Sequence, residues 1–136
     1  MLFALTGATG FVGGALARQL AEAGHDVRCL VRDPDRATML TGLGADLVTG
    51  DLGDAASLQS LCDGVDGLFH VAGWYQVGSR ASEQAWTVNV AGTRDMLVAA
   101  AEAEVPRIVY TSTLAVNSDT GGRLVEWRGD GLTEVA

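Results

Sequence analysis

Residues 2–13 read Leu2-Phe3-Ala4-Leu5-Thr6-Gly7-Ala8-Thr9-Gly10-Phe11-Val12-Gly13. A short, wholly apolar run over residues 2–5 gives way to glycines at a spacing of three and three. From residue 11 to 23 apolar residues recur at helical intervals (Phe11, Ala15, Leu16, Leu20, Ala23). The pattern is a buried strand, a tight turn and an amphipathic helix. Gly24 stops that helix, and the unit then repeats. Residues 26–31 form a second apolar, β-branched run, as a strand buried on both faces requires. Asp33-Pro34 offers a helix cap and a proline at the first helical position, opening a helix that fades at Gly42 and Gly44. Residues 46–49 read as a strand, Asp54 as the cap of a helix running to about Cys62, and residues 67–71 as a strand. Residues 82–103 read as a long helix stopped by Pro106, and residues 107–111 as a fifth strand. Strands alternating with helices at this spacing predict right-handed crossovers and an α/β fold with a doubly wound parallel sheet. After Thr113 the periodicity disappears, and residues 117–130, polar and glycine-rich, read as a loop.

Composition narrows the function. The 136 residues amount to one domain, and the net charge of -8 disfavours a nucleic-acid partner, whose phosphates it would repel. With 48% hydrophobic residues and no apolar run near 18, neither disorder nor a membrane-spanning helix is expected. All nine basic side chains are arginines. A phosphate-loop lysine, a Schiff-base lysine and a lysine proton relay are thereby excluded within this chain. Cys29 and Cys62 lie in apolar segments without metal-ligand spacing, and the chain enters its first strand without a leader, so a reduced, cytoplasmic protein is expected. His25 and His70 have no mutual spacing that suggests a metal site, and none is expected.

In a doubly wound sheet, ligands sit where the strand order reverses, at the carboxyl ends of the strands. The loops at residues 6–13, 31–36, 50–54, 72–80 and 111–118 should therefore converge. Gly7 lets the chain turn out of the first strand, Gly10 lets backbone approach a pyrophosphate, and Gly13 lets the helix pack close to the sheet. Thr9, Phe11 and Val12 complete this phosphate-binding turn, at whose end the helix offers unpaired N–H groups and the positive end of its dipole. At the end of the second strand an acidic residue would bind ribose hydroxyls, whereas an arginine would accept a 2′-phosphate. Val31 is followed by Arg32, while Asp33 is already occupied as a helix cap. NADP is therefore the expected cofactor, with NAD the alternative. Arg32 supplies the planar donor fork, and Arg36 is a candidate second arginine. Ala72 and Gly73 end the fourth strand, where small residues let backbone pass close to a ribose.

The run Thr6 to Gly13 resembles the extended short-chain dehydrogenase/reductase family, which includes sugar-nucleotide epimerases and dihydroflavonol reductases. The resemblance continues through Asp51-Leu52, His70-Val71-Ala72-Gly73, Asn89-Val90-Ala91-Gly92-Thr93 and Val109-Tyr110-Thr111-Ser112-Thr113. It implies a Rossmann fold with strand order 3-2-1-4-5. It also implies an adenine-binding role for Asp51 and Leu52, a supporting role for Asn89, and cofactor contact through the backbone of Thr111. Thr113 is implied as the catalytic hydroxyl that bonds the substrate carbonyl or alcohol. The family's acid–base pair is a tyrosine with a lysine four residues on, the lysine lowering the phenol's pKa. Here Tyr75 and Tyr110 have Ser79 and Leu114 at that distance. The chain is thus expected to be the N-terminal part of a longer enzyme, with its later strands and substrate region absent. Trp74 and Tyr75 suggest an apolar wall suited to an aromatic small-molecule substrate, and Trp127 is expected to pack on the absent portion. Two functions remain open: an NADP-dependent oxidoreductase or epimerase nearest the dihydroflavonol reductases, and a non-catalytic NADP-binding sensor. No membrane partner is expected, and self-association stays open.

Overall fold

Apolar parallel strands, the central ones covered on both faces, organise the chain. A computed structural model describes residues 1–75, 82–112, 125–127 and 132–134. The strands β1 (Leu2–Thr6), β2 (Asp26–Val31), β3 (Asp46–Thr49), β4 (Gly67–His70) and β5 (Ile108–Tyr110) form one sheet in the order β3-β2-β1-β4-β5. Every neighbouring pair is parallel. The order reverses between β1 and β4, so the carboxyl ends of these two strands flank the crevice expected of such sheets.

Alternation along β1 divides the core. Leu5 faces a cluster with Ala17 of α1 (Phe11–Glu22), Cys29, Val31 and Leu40. Ala4 faces the opposite cluster, with Leu58 and Leu61 of α3 (Ala55–Cys62), Leu68, and Met96 and Ala100 of α5 (Thr93–Glu102). Capping follows the sequence at Asp54, whose side chain accepts from the Ala56 N–H at 3.1 Å. Arg28 ties the opposite end of α3 to the sheet, donating to the carbonyls of Ser60 and Asp63 and pairing with Asp46 at 2.8 Å.

Three expectations need correction. The helix opened by Asp33 is not continuous: a 3-10 turn (Pro34–Arg36) precedes a short α2 (Thr38–Gly42). Asp33 caps only the former, accepting from the Asp35 N–H at 3.1 Å, and buried Ala37 and Leu40 anchor the segment to the core instead of a long amphipathic face. The long helix has three parts, α4 (Ser82–Trp86), a π-helical turn (Thr87–Gly92) and α5. Gly92 lies against Leu52, where a Cβ would come within 2.9 Å of the leucine Cβ. The tail contains β6 (Val125–Trp127) and β7 (Leu132–Glu134), paired antiparallel with Glu126 opposite Thr133, rather than only loop. Two three-residue strands are too short to show a periodicity. Among the described residues, no helix is long and apolar enough to cross a membrane.

Candidate functional site

At the carboxyl ends of the strands opens a cleft of about 870 Å³. Gly7, Thr9, Gly10, Phe11 and Val12 line it from the first turn, Arg32 from the end of β2, and Asp51 and Leu52 from the loop after β3. Ala72 and Gly73 line it beyond β4, and Thr111 beyond β5. These eleven residues, separated by up to 104 positions in the chain, are brought to one concave surface. Thr113 lies outside the described residues, as do residues 76–80 of the loop after β4.

The first turn is built by steric necessity. Gly7 has φ of 73°, and a Cβ there would come within 2.7 Å of the Ala72 backbone nitrogen. At Gly13 a Cβ would collide with the Gly7 carbonyl, so only glycine lets α1 start this close to the sheet. The Gly10 N–H donates to the Gly7 carbonyl at 2.9 Å, closing the turn. Gly10 occupies the N-cap of α1 without a side-chain cap, and the first turn carries no acidic residue. Such a helix end leaves N–H groups for an anion, and the absence of a competing carboxylate keeps the dipole's positive end available. A pyrophosphate fits these residues. Phe11 is 96% exposed beside it, at the mouth of the cleft.

At the far end, Arg32 is exposed and faces the cleft, whereas Arg36 is exposed outside its lining. One Asp33 carboxylate oxygen accepts from the Asp35 N–H, and Asp33 does not line the cleft. Asp51 uses one carboxylate oxygen to accept from the Gly53 N–H at 3.1 Å, leaving the other as an acceptor for a ligand N–H. Leu52 is buried, with one side in the core and the other on the cleft.

The long helix contributes a wall that sequence reasoning missed. Gln84, Thr87, Val88, Ala91 and Asp95 reach the cleft at intervals of three, one, three and four residues. That spacing is one face of a helix, legible only as a polar and small stripe opposite the core-facing Met96 and Ala100. Asn89 in the π-helical turn ties this wall to the end of β4: its carbonyl accepts from the Trp74 N–H at 2.7 Å and its amide donates to the Trp74 carbonyl at 2.9 Å. Trp74 is thereby held half-buried, while Tyr75 is 87% exposed.

The buried titratable side chains in and beside the sheet, His70, Cys29 and Cys62, are held neutral by burial. Burial lowers the His70 pKa from 6.5. Burial pushes the Cys29 thiol up to about 12, with the Asp46 carboxylate adding to it, and pushes Cys62 up to about 11 against the opposing Arg28 charge. Both thiols stay protonated and inert at neutral pH. Among the described residues, no cluster of three or more His, Cys, Asp or Glu side chains could hold a metal ion.

Comparison with known proteins agrees with this geometry. A family model described as NAD(P)H-binding matches residues 7–136. Cinnamoyl-CoA reductase 1 of Oryza sativa is 40% identical over 121 residues, covering 82% of this chain and 34% of its own length. Dihydroflavonol 4-reductase of Dianthus caryophyllus is 33% identical over 120 residues, covering 80% of this chain and 33% of its own. A short-chain dehydrogenase/reductase superfamily protein of Agrobacterium tumefaciens, crystallised with bound NAD, superimposes with a TM-score of 0.71 at 31% identity. That match covers 83% of this chain and 33% of the other. The chain spans about a third of the length of the curated relatives it matches.

Proposed function

We infer the function from one premise: the chain belongs to the NAD(P)H-binding family, within the extended short-chain dehydrogenases/reductases. It supplies the cofactor half of an NADP-dependent oxidoreductase or epimerase that acts on a carbonyl or alcohol substrate, nearest to the dihydroflavonol reductases. The rest of the catalytic machinery belongs to further chain of a longer enzyme. When bound, the nicotinamide supplies or receives the hydride.

The observation that carries NADP over NAD is the division of labour after β2. Arg32 lines the cleft, while the neighbouring Asp33 is not among the lining residues and turns one carboxylate oxygen to capping the turn that follows. Gly7, Gly10 and the N–H groups at Thr9, Phe11 and Val12 hold the pyrophosphate. Asp51 and Leu52 hold the adenine, and Ala72, Gly73 and the Thr111 backbone line the ribose and nicotinamide. Thr113 donates to the substrate oxygen, and Trp74 with Tyr75 forms an apolar wall for an aromatic substrate. The protein works in the cytoplasm, and the 136-residue chain on its own self-associates through its β5 edge.

The test is a titration with both cofactors. Arg32→Ala should cost about 1.5 to 3 kcal/mol of NADP affinity, the range for a charge-assisted hydrogen bond, and barely change NAD affinity. Equal losses for the two would overturn the assignment. In the longer protein, Thr113→Val should lower turnover by about one to three orders of magnitude, as expected for removing a transition-state donor. The alternative is a non-catalytic NADP sensor, which needs the glycine turn and Arg32 but neither Thr113 nor a tyrosine–lysine pair. Hydride transfer by the longer protein excludes it; NADP binding with no turnover in that protein supports it.

A further inference from the structure

Under the cleft runs a buried relay of side chains. Thr6, His70 and Tyr110 are successive register partners across β1, β4 and β5. His70 is fully buried, with Nδ1 at 2.7 Å from Thr6 Oγ1 and Nε2 at 3.0 Å from Thr93 Oγ1 on α5. Its ring stacks on Tyr110 with centroids 5.5 Å apart and planes 19° from parallel. The Thr6 oxygen also accepts from the backbone N–H groups of Val71 at 3.2 Å and Ala72 at 3.1 Å.

Counting protons and lone pairs determines the direction of every bond. A hydroxyl has one proton and two lone pairs. The Val71 and Ala72 N–H groups can only donate, so they take both lone pairs of Thr6, and the Thr6 proton goes to His70 Nδ1. Nδ1 is therefore an acceptor. The single ring proton sits on Nε2 and is donated to Thr93. A doubly protonated ring would point Nδ1–H at an oxygen with no lone pair left. It would have to displace the N–H of Val71 or Ala72. Both residues line the cleft, and the Ala72 nitrogen is the atom against which Gly7 packs.

We propose that His70, neutral and protonated on Nε2, is a positioning residue for the cofactor: through Thr6 it fixes the Val71–Ala72 backbone against the Gly7 turn, and protonation releases that backbone. The proposal rests on the nicotinamide-cofactor reading only for what this backbone is positioned to hold. Burial, which lowers the His70 pKa, keeps the ring in the required form at neutral pH. The groups facing it are the hydroxyls of Thr6 on β1 and Thr93 on α5 and the Tyr110 ring on β5. The nearest charges along α5, Arg94 and Asp95, pair with each other at 3.0 Å, both partly exposed and Asp95 at the cleft wall.

Three measurements on the 136-residue chain test this. Long-range proton–nitrogen NMR of the imidazole, without cofactor, should show the proton on Nε2 at pH 7; a proton on Nδ1 would overturn the proposal. Amide exchange at Val71 and Ala72 should accelerate about tenfold or more in Thr6→Val and in His70→Phe, relative to the Cys29 amide in β2. Thr6→Ser should restore most of that protection. Acceleration spread evenly over the sheet, or none, would reduce His70 to a packing residue. Finally, NADPH affinity measured by cofactor fluorescence from pH 8 to pH 5 should fall more steeply in the wild type than in His70→Phe. The extra fall should track His70 protonation seen by NMR, and parallel curves count against the proposal. If the wild type binds no NADPH, the cofactor reading fails, while the tautomer and exchange results still decide the relay.

Discussion

β1 and β5 belong to the same parallel sheet and are both written in apolar and β-branched residues, yet they meet opposite surroundings. In β1, Ala4, Leu5 and Thr6 are wholly buried, between β2 and β4 and under helices on both faces. In β5, Ile108, Val109 and Tyr110 are 40%, 52% and 46% exposed. Among the described residues β5 has one sheet neighbour, and Leu97 and Val98 on α5 are exposed as well. Ladder hydrogen bonds suffice to place a strand, but only a second layer removes its side chains from water. The middle of the sheet is covered on both faces, whereas the β5 edge is apolar and suited to further cover, in keeping with the longer protein proposed above.

The largest expected effect separates the two regions directly. Leu68→Ala, in the buried middle of β4, should cost about 2 to 5 kcal/mol in urea unfolding, the range for truncating a core leucine. Val109→Ala on β5 should stay below about 1 kcal/mol because most of its surface is already hydrated. Equal losses would break the comparison. Next in size is a contrast within the covered part. Gly7 and Gly24 both have positive φ, 73° and 79°, but a Cβ at Gly24 meets nothing within 4 Å. Alanine at either pays the left-handed backbone penalty, and Gly7→Ala should lose about 1 to 3 kcal/mol more through overpacking. A smaller effect comes at alkaline pH. The thiols of Cys29 and Cys62 have raised folded-state values, so the unfolded chain loses their protons first and stability falls as pH rises above 9. One unit above that, each thiol should contribute about 1 kcal/mol of destabilisation, measurable as a shift in the urea midpoint. The His70 contribution has the opposite sense: its folded value is lowered, so its stabilisation is present above pH 6.5 and lost as pH falls. The smallest effect on stability belongs to the edge. Val109→Lys should change it by no more than about 0.5 kcal/mol. It should nonetheless lower self-association in sedimentation, since a charge on an edge strand discourages pairing.

Much of the architecture was legible because its causes are local. Asp54 and the glycine punctuation of residues 7–13 and 24 announce turns and caps within a few residues of where they act. Boundaries at Thr6, His70 and Tyr110 differ from expectation by one residue, since a ladder ends where its neighbour ends. The division of the long helix at the π-helical turn was not legible: Asn89 signals an unusual helix position, but its partner Trp74 is 15 residues away. The Gln84 to Asp95 wall was missed for a related reason. A helix of small and polar residues has several faces that look alike until a sheet covers one of them.

The sequence by itself determined the alternation of strands and helices, the parallel sheet that follows from it, and a first turn in which glycine is sterically required. Each depends on periodicity or backbone freedom within a window of a dozen residues. Only the tertiary structure decided that His70 is buried between Thr6 and Thr93, that the Gln84 to Asp95 stripe walls the cleft, and that β5 is left open to water. These depend on register and cover. The Thr6 hydroxyl and the His70 ring are 64 residues apart in the chain and meet only because β1 and β4 pair with Thr6 opposite His70.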